Sequence, residues 1–166
     1  FEDLATRHKK IKHNLNGAVR FTAISIEDLI NNIAHGVEFR PQDAANDYGI
    51  MLLEEITGQI RGRNVDNLSD EPDGAFTILK HCPPEDFARE RAIYRECKLI
   101  AVSLLGTMTS DYRANANNVM RYLEPERGVR YMKVGPAYDN CFGIRVEFSF
   151  SMSTQLKNNP SDYDVI

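Results

Sequence analysis

Residues 140–153, NCFGIRVEFSFSMS, decide the fold because their side chains alternate strictly between two chemical types. One parity is apolar and comprises Phe142, Ile144, Val146, Phe148, Phe150 and Met152. The other comprises Gly143, Arg145, Glu147, Ser149, Ser151 and Ser153. Side chains of a strand point alternately to opposite faces, so this pattern predicts a long β-strand with one buried and one polar face. We expect the polar face to meet water or a neighbouring subunit.

The partner of the apolar face is a helix predicted over residues 84–110. Pro83 and Pro84 introduce this helix, since proline is favoured in the first turn. Apolar residues then recur at three- and four-residue spacing, which is typical of an amphipathic helix with one face on the core. They are Phe87, Tyr94, Cys97, Ala101, Leu104 and Met108.

The remaining chain predicts shorter elements around this strand and helix. Apolar spacing indicates short N-terminal helices at 1–13 and 26–35. Strands are expected at 18–24, 50–61, 75–81, 129–134 and 142–152. This order indicates an α+β fold, in which a mostly antiparallel sheet packs against one long helix at about 84–110.

The chain is expected to form one domain over residues 1–166. Residues 62–74, GRNVDNLSDEPDG, are polar, acidic and punctuated by glycine and proline, which predicts a mobile loop between two antiparallel strands. Residues 153–166 are expected to form a flexible tail.

Composition limits the classes of partner. The chain has 20 basic and 24 acidic side chains and a net charge of -4, so it has no general attraction for nucleic acid or anionic lipid. Its apolar runs are too short for a membrane span. The cysteines, Cys82, Cys97 and Cys141, are scattered singly, which argues against a disulfide framework and favours a reducing, cytoplasmic location.

The sequence holds no recognisable pattern for catalysis or for binding a metal or cofactor. The histidines and cysteines form no CxxC, HxxxH or HExxH pattern, and no serine lies in a GxSxG context. No glycine pattern resembles a phosphate-binding loop. We therefore expect a protein that is not an enzyme, with no metal ligands and no cofactor.

Two other functions stay open on specific residues. A nucleic-acid-associated protein would use the basic run Arg7, His8, Lys9, Lys10, Lys12 and His13, joined by Arg61 and Arg63. A small enzyme would use a site built from loops, and His81 with a nearby carboxylate is the pair to look for. A globular domain that merely tolerates long loops is as compatible with the pattern as an assembly subunit.

Three stretches carry a family resemblance: DGAFTILKH at 73–81, PPEDFARERAIYRECKLIAVSLLGTM at 83–108 and VGPAYDNCFGIRVEFSFSMS at 134–153. Together they resemble small proteins of prophage-like or tail-like gene clusters of Bacteroides-type bacteria. The element order is similar to that of phage tail terminator and head-to-tail neck proteins, which form rings at the end of a tail tube. The resemblance covers about residues 73–152 and includes no catalytic signature.

The resemblance implies a structural subunit that assembles into a phage-like particle. Its partners would be further copies of itself and other tail or neck proteins, contacted through hairpins and loops. On this sequence the implied partner-interface residues are Arg130, Lys133, Arg145 and Glu147.

Overall fold

The computed structural model describes residues 1–25, 27, 47–62, 68–114, 129–138 and 140–154. The helices are α1 (Glu2–Arg7), a 3-10 turn at Leu15–Gly17, and α2 (Phe87–Ala114). The strands are β1 (Phe21–Ile24), β2 (Ile50–Glu54), β3 (Thr57–Gly62), β4 (Leu68–His81), β5 (Arg130–Ala137), β6 (Cys141–Ser149) and β7 (Met152–Thr154). The described residues form an α+β fold with one long helix.

The described strands form one mixed sheet of seven strands, which corrects the prediction of a mostly antiparallel sheet. Its main path runs β1-β2-β4-β6-β5, with β3 and β7 paired to the first half of β4. β1 runs parallel to β2, whereas the pairings of β4 and β6 are antiparallel. A parallel pair requires a crossover of about a dozen residues or more, and the long segment between β1 and β2 allows one.

The apolar face of β6 is buried, as predicted. Four of its side chains, from Phe142 to Phe148, are at most 9% exposed, as is Phe150 just beyond its end. They form one core with β4, where Phe76 is opposite Val146 and Ile78 is opposite Ile144. α2 covers this core with Ile93, Cys97, Ile100, Ala101 and Leu104.

α2 begins later and ends later than predicted. Asp86 caps it, because its carboxylate accepts a 2.8 Å hydrogen bond from the backbone N–H of Arg89. Pro83 and Pro84 therefore precede the helix. Phe87, predicted to face the core, is 68% exposed because it occupies the first helical position, before the turns that pack on the sheet.

In the acidic segment predicted as a mobile loop at 62–74, the described residues lie in strands: Gly62 ends β3 and Leu68–Gly74 belong to β4, whereas 63–67 fall outside the described residues. β3 and β4 are antiparallel, as predicted for the strands that the loop joins. For Leu68–Gly74 the prediction was wrong, because pairing with β3 and β7 outweighs the low strand propensity of an acidic, proline-containing segment. Pro72 donates no backbone hydrogen bond, but its carbonyl accepts one of 2.9 Å from the N–H of Phe150.

Other boundaries differ in smaller ways. The strand predicted at 50–61 is divided into β2 and β3, and the helix predicted at 1–13 is limited to α1. Met152–Thr154 form β7, and the remainder of the tail predicted at 153–166 lies outside the described residues. The helix predicted at 26–35 also falls outside them, apart from Glu27.

A partly buried ionic cluster ties the helix to the sheet. The side chain of Lys80 on β4 is 3% exposed, and its ammonium lies 3.0 Å from Asp47 and 2.7 Å from Glu96 of α2. Arg89 of α2 bonds the same two carboxylates. The cluster therefore joins the segment before β2, the central strand and the helix.

Lys80→Met is expected to make the free energy of unfolding less dependent on pH in the acidic range. Burial raises the pKa values of Asp47 and Glu96, but the hydrogen bonds and charges of Lys80 and Arg89 outweigh it, so both pKa values lie below their ordinary range. Such carboxylates stabilise the fold above their unfolded pKa, and this contribution is lost as pH falls through the folded value.

The measurement is the free energy of unfolding in urea, from neutral pH to below about pH 4, where unfolded carboxylates titrate. The wild-type curve should fall more steeply than that of Lys80→Met. Lys9→Met, a change at an exposed lysine, is the control and should follow the wild type. Equal slopes for wild type and Lys80→Met would contradict the role given to the cluster.

Candidate functional site

β5 is an edge strand of the sheet that the structure describes. It pairs with β6 along one side, and none of the strands that the structure describes pairs with its other side. Its first four residues, from Arg130 to Lys133, are all exposed. An edge strand presents unpaired N–H and C=O groups that can pair with another chain.

Only part of this edge is protected against pairing. The β5–β6 register shifts between Val134 and Ala137, and Pro136 within that segment has no backbone N–H to donate. Bulges and prolines are common devices for blocking an edge strand. The regular part, from Arg130 to Val134, carries neither device and is the part available for a neighbouring strand.

An apolar patch flanks the open edge. It consists of Leu99 and Val102 on α2 with Tyr131 on β5, and these side chains are 56–65% exposed. Met132, 47% exposed, lies opposite Arg145 and so faces the other side of the sheet. A small cleft between α2 and β5 adjoins the patch and is lined in part by Val102, Tyr131 and Val129. Exposed large apolar side chains gathered beside an unpaired strand are typical of a protein interface.

Basic side chains border the same surface. Arg91, Arg95 and Lys98 are exposed on α2 and follow one another at helical spacing, so they lie on one face of the helix. The ammonium of Lys98 donates a 2.7 Å hydrogen bond to the hydroxyl of Tyr131. The ammonium of Lys133 lies 4.7 Å from the ring centre of Tyr94. These contacts hold the cations beside β5 while leaving them accessible.

Two of the four predicted interface residues are engaged within the subunit. Arg145 donates hydrogen bonds of 2.6 and 2.7 Å to the two carboxylate oxygens of Glu54 and also bonds Glu147. The Glu54 side chain is 3% exposed and that of Arg145 is 21% exposed. The hydrogen bond from Arg145 to Glu54 is the main cause that raises the pKa of the Arg145 guanidinium above its ordinary value.

Arg130 and Lys133 occupy a different environment, because both are exposed on the open edge. Arg130 lies opposite Glu147 in the β5–β6 register, and Lys133 lies opposite Ile144. The structure thus divides the predicted set into an internal cluster and two residues at the edge.

The face of the sheet that carries Arg145 is not uniformly polar, contrary to expectation. Gly143 is buried, and a second apolar cluster is formed by Ile24, Ile50, Leu52, Leu79 and Cys141. The polar face of β6 is therefore less open for docking than its sequence indicates. By contrast, the first four residues of β5 are all exposed.

The basic run at the N-terminus does not form one continuous cationic surface. Arg7 pairs with Asp3 at 2.6 Å, Lys10 lies 3.6 Å from Asp47, and His13 is buried. Arg61, predicted to join this run, lies 3.7 Å from Glu71 on β4. Arg63 is outside the described residues.

The cysteines lie in the interior. The thiols of Cys82, Cys97 and Cys141 are buried. Burial raises the pKa of Cys97 to about 12, so this thiol stays protonated at neutral pH. Within the described ranges, no three His, Cys, Asp or Glu side chains are grouped as metal ligands.

Sequence reasoning missed much of the edge surface. Arg91, Arg95 and Lys98 were recognisable as lying off the apolar stripe of the helix, but their proximity to β5 depends on tertiary packing. Leu99 and Val102 also lie off that stripe, but the sequence does not show which strand lies beside them. The burial of Glu54 had one signal, its position directly after the apolar run IMLL.

Comparisons of the chain with protein-family models, curated proteins and solved structures find no match. Of the helices that the structure describes, none has the length and apolar character to cross a membrane. The geometry of the β5 edge and of the apolar patch beside it is therefore the structural basis for assigning a function.

Proposed function

We propose that this protein is a non-enzymatic assembly subunit of a phage or phage-derived particle, a ring-forming neck or tail-completion protein. The observation that carries the assembly role is the open edge of β5 beside the apolar patch. The particle type rests on the resemblance of residues 73–152 to tail terminator and neck proteins. Its partners are copies of itself and other tail or neck proteins.

The open edge favours assembly for two physical reasons. Pairing of another strand with the regular part of β5 would satisfy unpaired backbone N–H and C=O groups of both strands. Covering Leu99, Val102 and Tyr131 would bury apolar area at about 25 cal/mol for each Å² removed from water. Both gains occur at one surface, so one contact supplies directional pairing and hydrophobic stabilisation.

Leu99→Glu with Val102→Glu is expected to abolish self-association while the monomer stays folded. Both side chains are more than half exposed, so charge there costs the monomer little but is costly in an apolar interface. Light scattering and sedimentation velocity over a concentration series measure the effect. The wild type should form a ring-sized species, and the double variant should stay monomeric.

Phe87→Glu is the matched control. Phe87 is equally exposed on the same helix but lies twelve residues before Leu99, or about 18 Å along the axis. This variant should associate like the wild type. A wild-type protein that stays monomeric at high concentration and with candidate tail proteins would overturn the proposed function.

A further inference from the structure

The strand β3 provides a second open edge of opposite electrostatic character. It pairs with β4 on one side, and no strand of the described ranges pairs with the other. All its residues are exposed. We define the acidic arm as the segment that comprises Glu55, Ile56, β3 and residues Leu68–Asp73 of β4.

Carboxylates dominate the acidic arm. Its acidic residues are Glu55, Asp70, Glu71 and Asp73, against the single cation Arg61. Glu55 and Asp73 are exposed, whereas Glu71 is buried and lies 3.7 Å from Arg61. The described part of the arm therefore carries a net negative charge.

The arm also carries exposed apolar side chains. Ile56 is 54% and Ile60 is 52% exposed, which is comparable with the apolar patch beside β5. Ile60 lies opposite Asp70 in the register, so one face of the arm combines an isoleucine with a carboxylate. The patch beside β5 combines Tyr131 with Lys98 and Lys133.

We propose that the acidic arm of one copy binds the basic edge of the next, so that β3 extends the neighbour's sheet at β5. The basic edge is defined as β5 with Arg91, Arg95 and Lys98 of α2. This inference deepens the proposed function and rests on its self-association. The two surfaces match in three respects: both are unpaired strand edges, both expose apolar side chains, and their charges are opposite.

The alternatives within the described sheet fit less well. Two-fold pairing of β5 with β5 would place the cations of two basic edges against one another, which is unfavourable. The outer strand β1, FTAI, carries no carboxylate to complement the basic edge. Because the arm and the basic edge are different surfaces, their contact is heterologous and repeats from copy to copy, as a ring requires.

Charge reversal on each surface tests the proposal. Arg91→Glu, Arg95→Glu and Lys133→Glu reverse the basic edge, which then carries three carboxylates against Arg130 and Lys98. Glu55→Lys with Asp73→Lys reverses the arm, and all five substituted residues are exposed. Each of these variants alone should fail to associate, because its edge and arm then carry like charges. An equimolar mixture of the two variants should associate again, since each edge then finds an arm of opposite charge.

The outcomes separate this inference from the proposed function. If the arm variant associates as well as the wild type, the arm is not the partner surface, but the proposed assembly role stands. A wild type that never associates overturns the proposed function itself. A gel-shift assay with duplex DNA at physiological salt tests the alternative. If the wild type and the arm variant bind the DNA and the edge variant does not, the cations of the basic edge serve nucleic-acid binding instead.

Cross-linking distinguishes the geometry independently. Met132→Cys on β5 and Ile60→Cys on β3 introduce exposed thiols, while the native thiols are buried. A short bismaleimide should link the two variants only when they are mixed. Efficient linking of Met132→Cys to itself would indicate β5–β5 pairing and would contradict the proposal.

Discussion

Gly143→Ala is expected to lower the free energy of unfolding by roughly 3 kcal/mol, because it forces apart the two central strands. Gly143 on β6 lies opposite Leu79 on β4. A Cβ atom at this position would overlap the carbonyl oxygen of Ile78 and lie 2.8 Å from its carbonyl carbon. Both atoms belong to the backbone, so no rotamer change relieves the overlap.

Gly106→Ala provides a control of opposite sign. Gly106 lies within α2, and a Cβ atom there meets nothing within 4 Å. Alanine is favoured over glycine in a helix by about 1 kcal/mol, so this variant should be more stable than the wild type. Urea unfolding of both variants measures the difference, and equal stability of the two would contradict the close approach of β4 and β6.

Arg145→Met is expected to cost about 3 kcal/mol, the lower end of the range for removing one partner of a buried ion pair. The loss arises because the Glu54 carboxylate, whose side chain is 3% exposed, would remain buried without its bidentate partner. The lower end applies because Arg145 itself is 21% exposed. Loss of assembly in this variant would reflect its stability, since Arg145 is engaged internally.

A double-variant cycle tests the origin of this loss. Glu54→Met with Arg145→Met removes both charges together and should be more stable than Arg145→Met alone, because no unpaired carboxylate remains. Arg7→Met is the control for an exposed pair: Arg7 and Asp3 are both more than half exposed, and its loss should stay within about 0.5 kcal/mol. Additive losses at Glu54 and Arg145 would contradict their coupling.

The sequence predicted those parts of the fold that depend on local periodicity. The alternation in β6 and the helical spacing in α2 identified two elements that pack together, because each has one continuous apolar face. The parallel pairing of β1 with β2 was not predictable in this way, since it depends on which strands meet after a crossover. The acidic half of β4 was missed because its strand character is supplied by β3 and β7.

The candidate site was predictable only in part. Arg130 and Lys133 were identified on a predicted strand, and both are exposed at the edge. Arg145 and Glu147 were indistinguishable from them by pattern, because the sequence does not show that Glu54 lies across the sheet from Arg145. Which strand is an edge is a property of topology, and periodicity alone cannot report it.

Salt dependence is a further consequence of the proposed contact between the arm and the basic edge. Raising the salt concentration from about 0.1 M to about 1 M shortens the screening length from roughly 10 Å to 3 Å. The wild-type assembly should therefore weaken as salt rises, in sedimentation experiments at constant protein concentration. Association that strengthens with salt would indicate a contact dominated by the apolar patch.

Amide hydrogen exchange of the wild-type protein, measured below and above the concentration at which it associates, tests the central claim most directly. If β5 pairs with a neighbouring strand, exchange in the peptide containing Arg130–Val134 should slow on association, whereas the peptide containing the interior strand β2 should be unchanged. Association that leaves exchange in β5 unaltered would contradict the claim that this open edge is the docking surface.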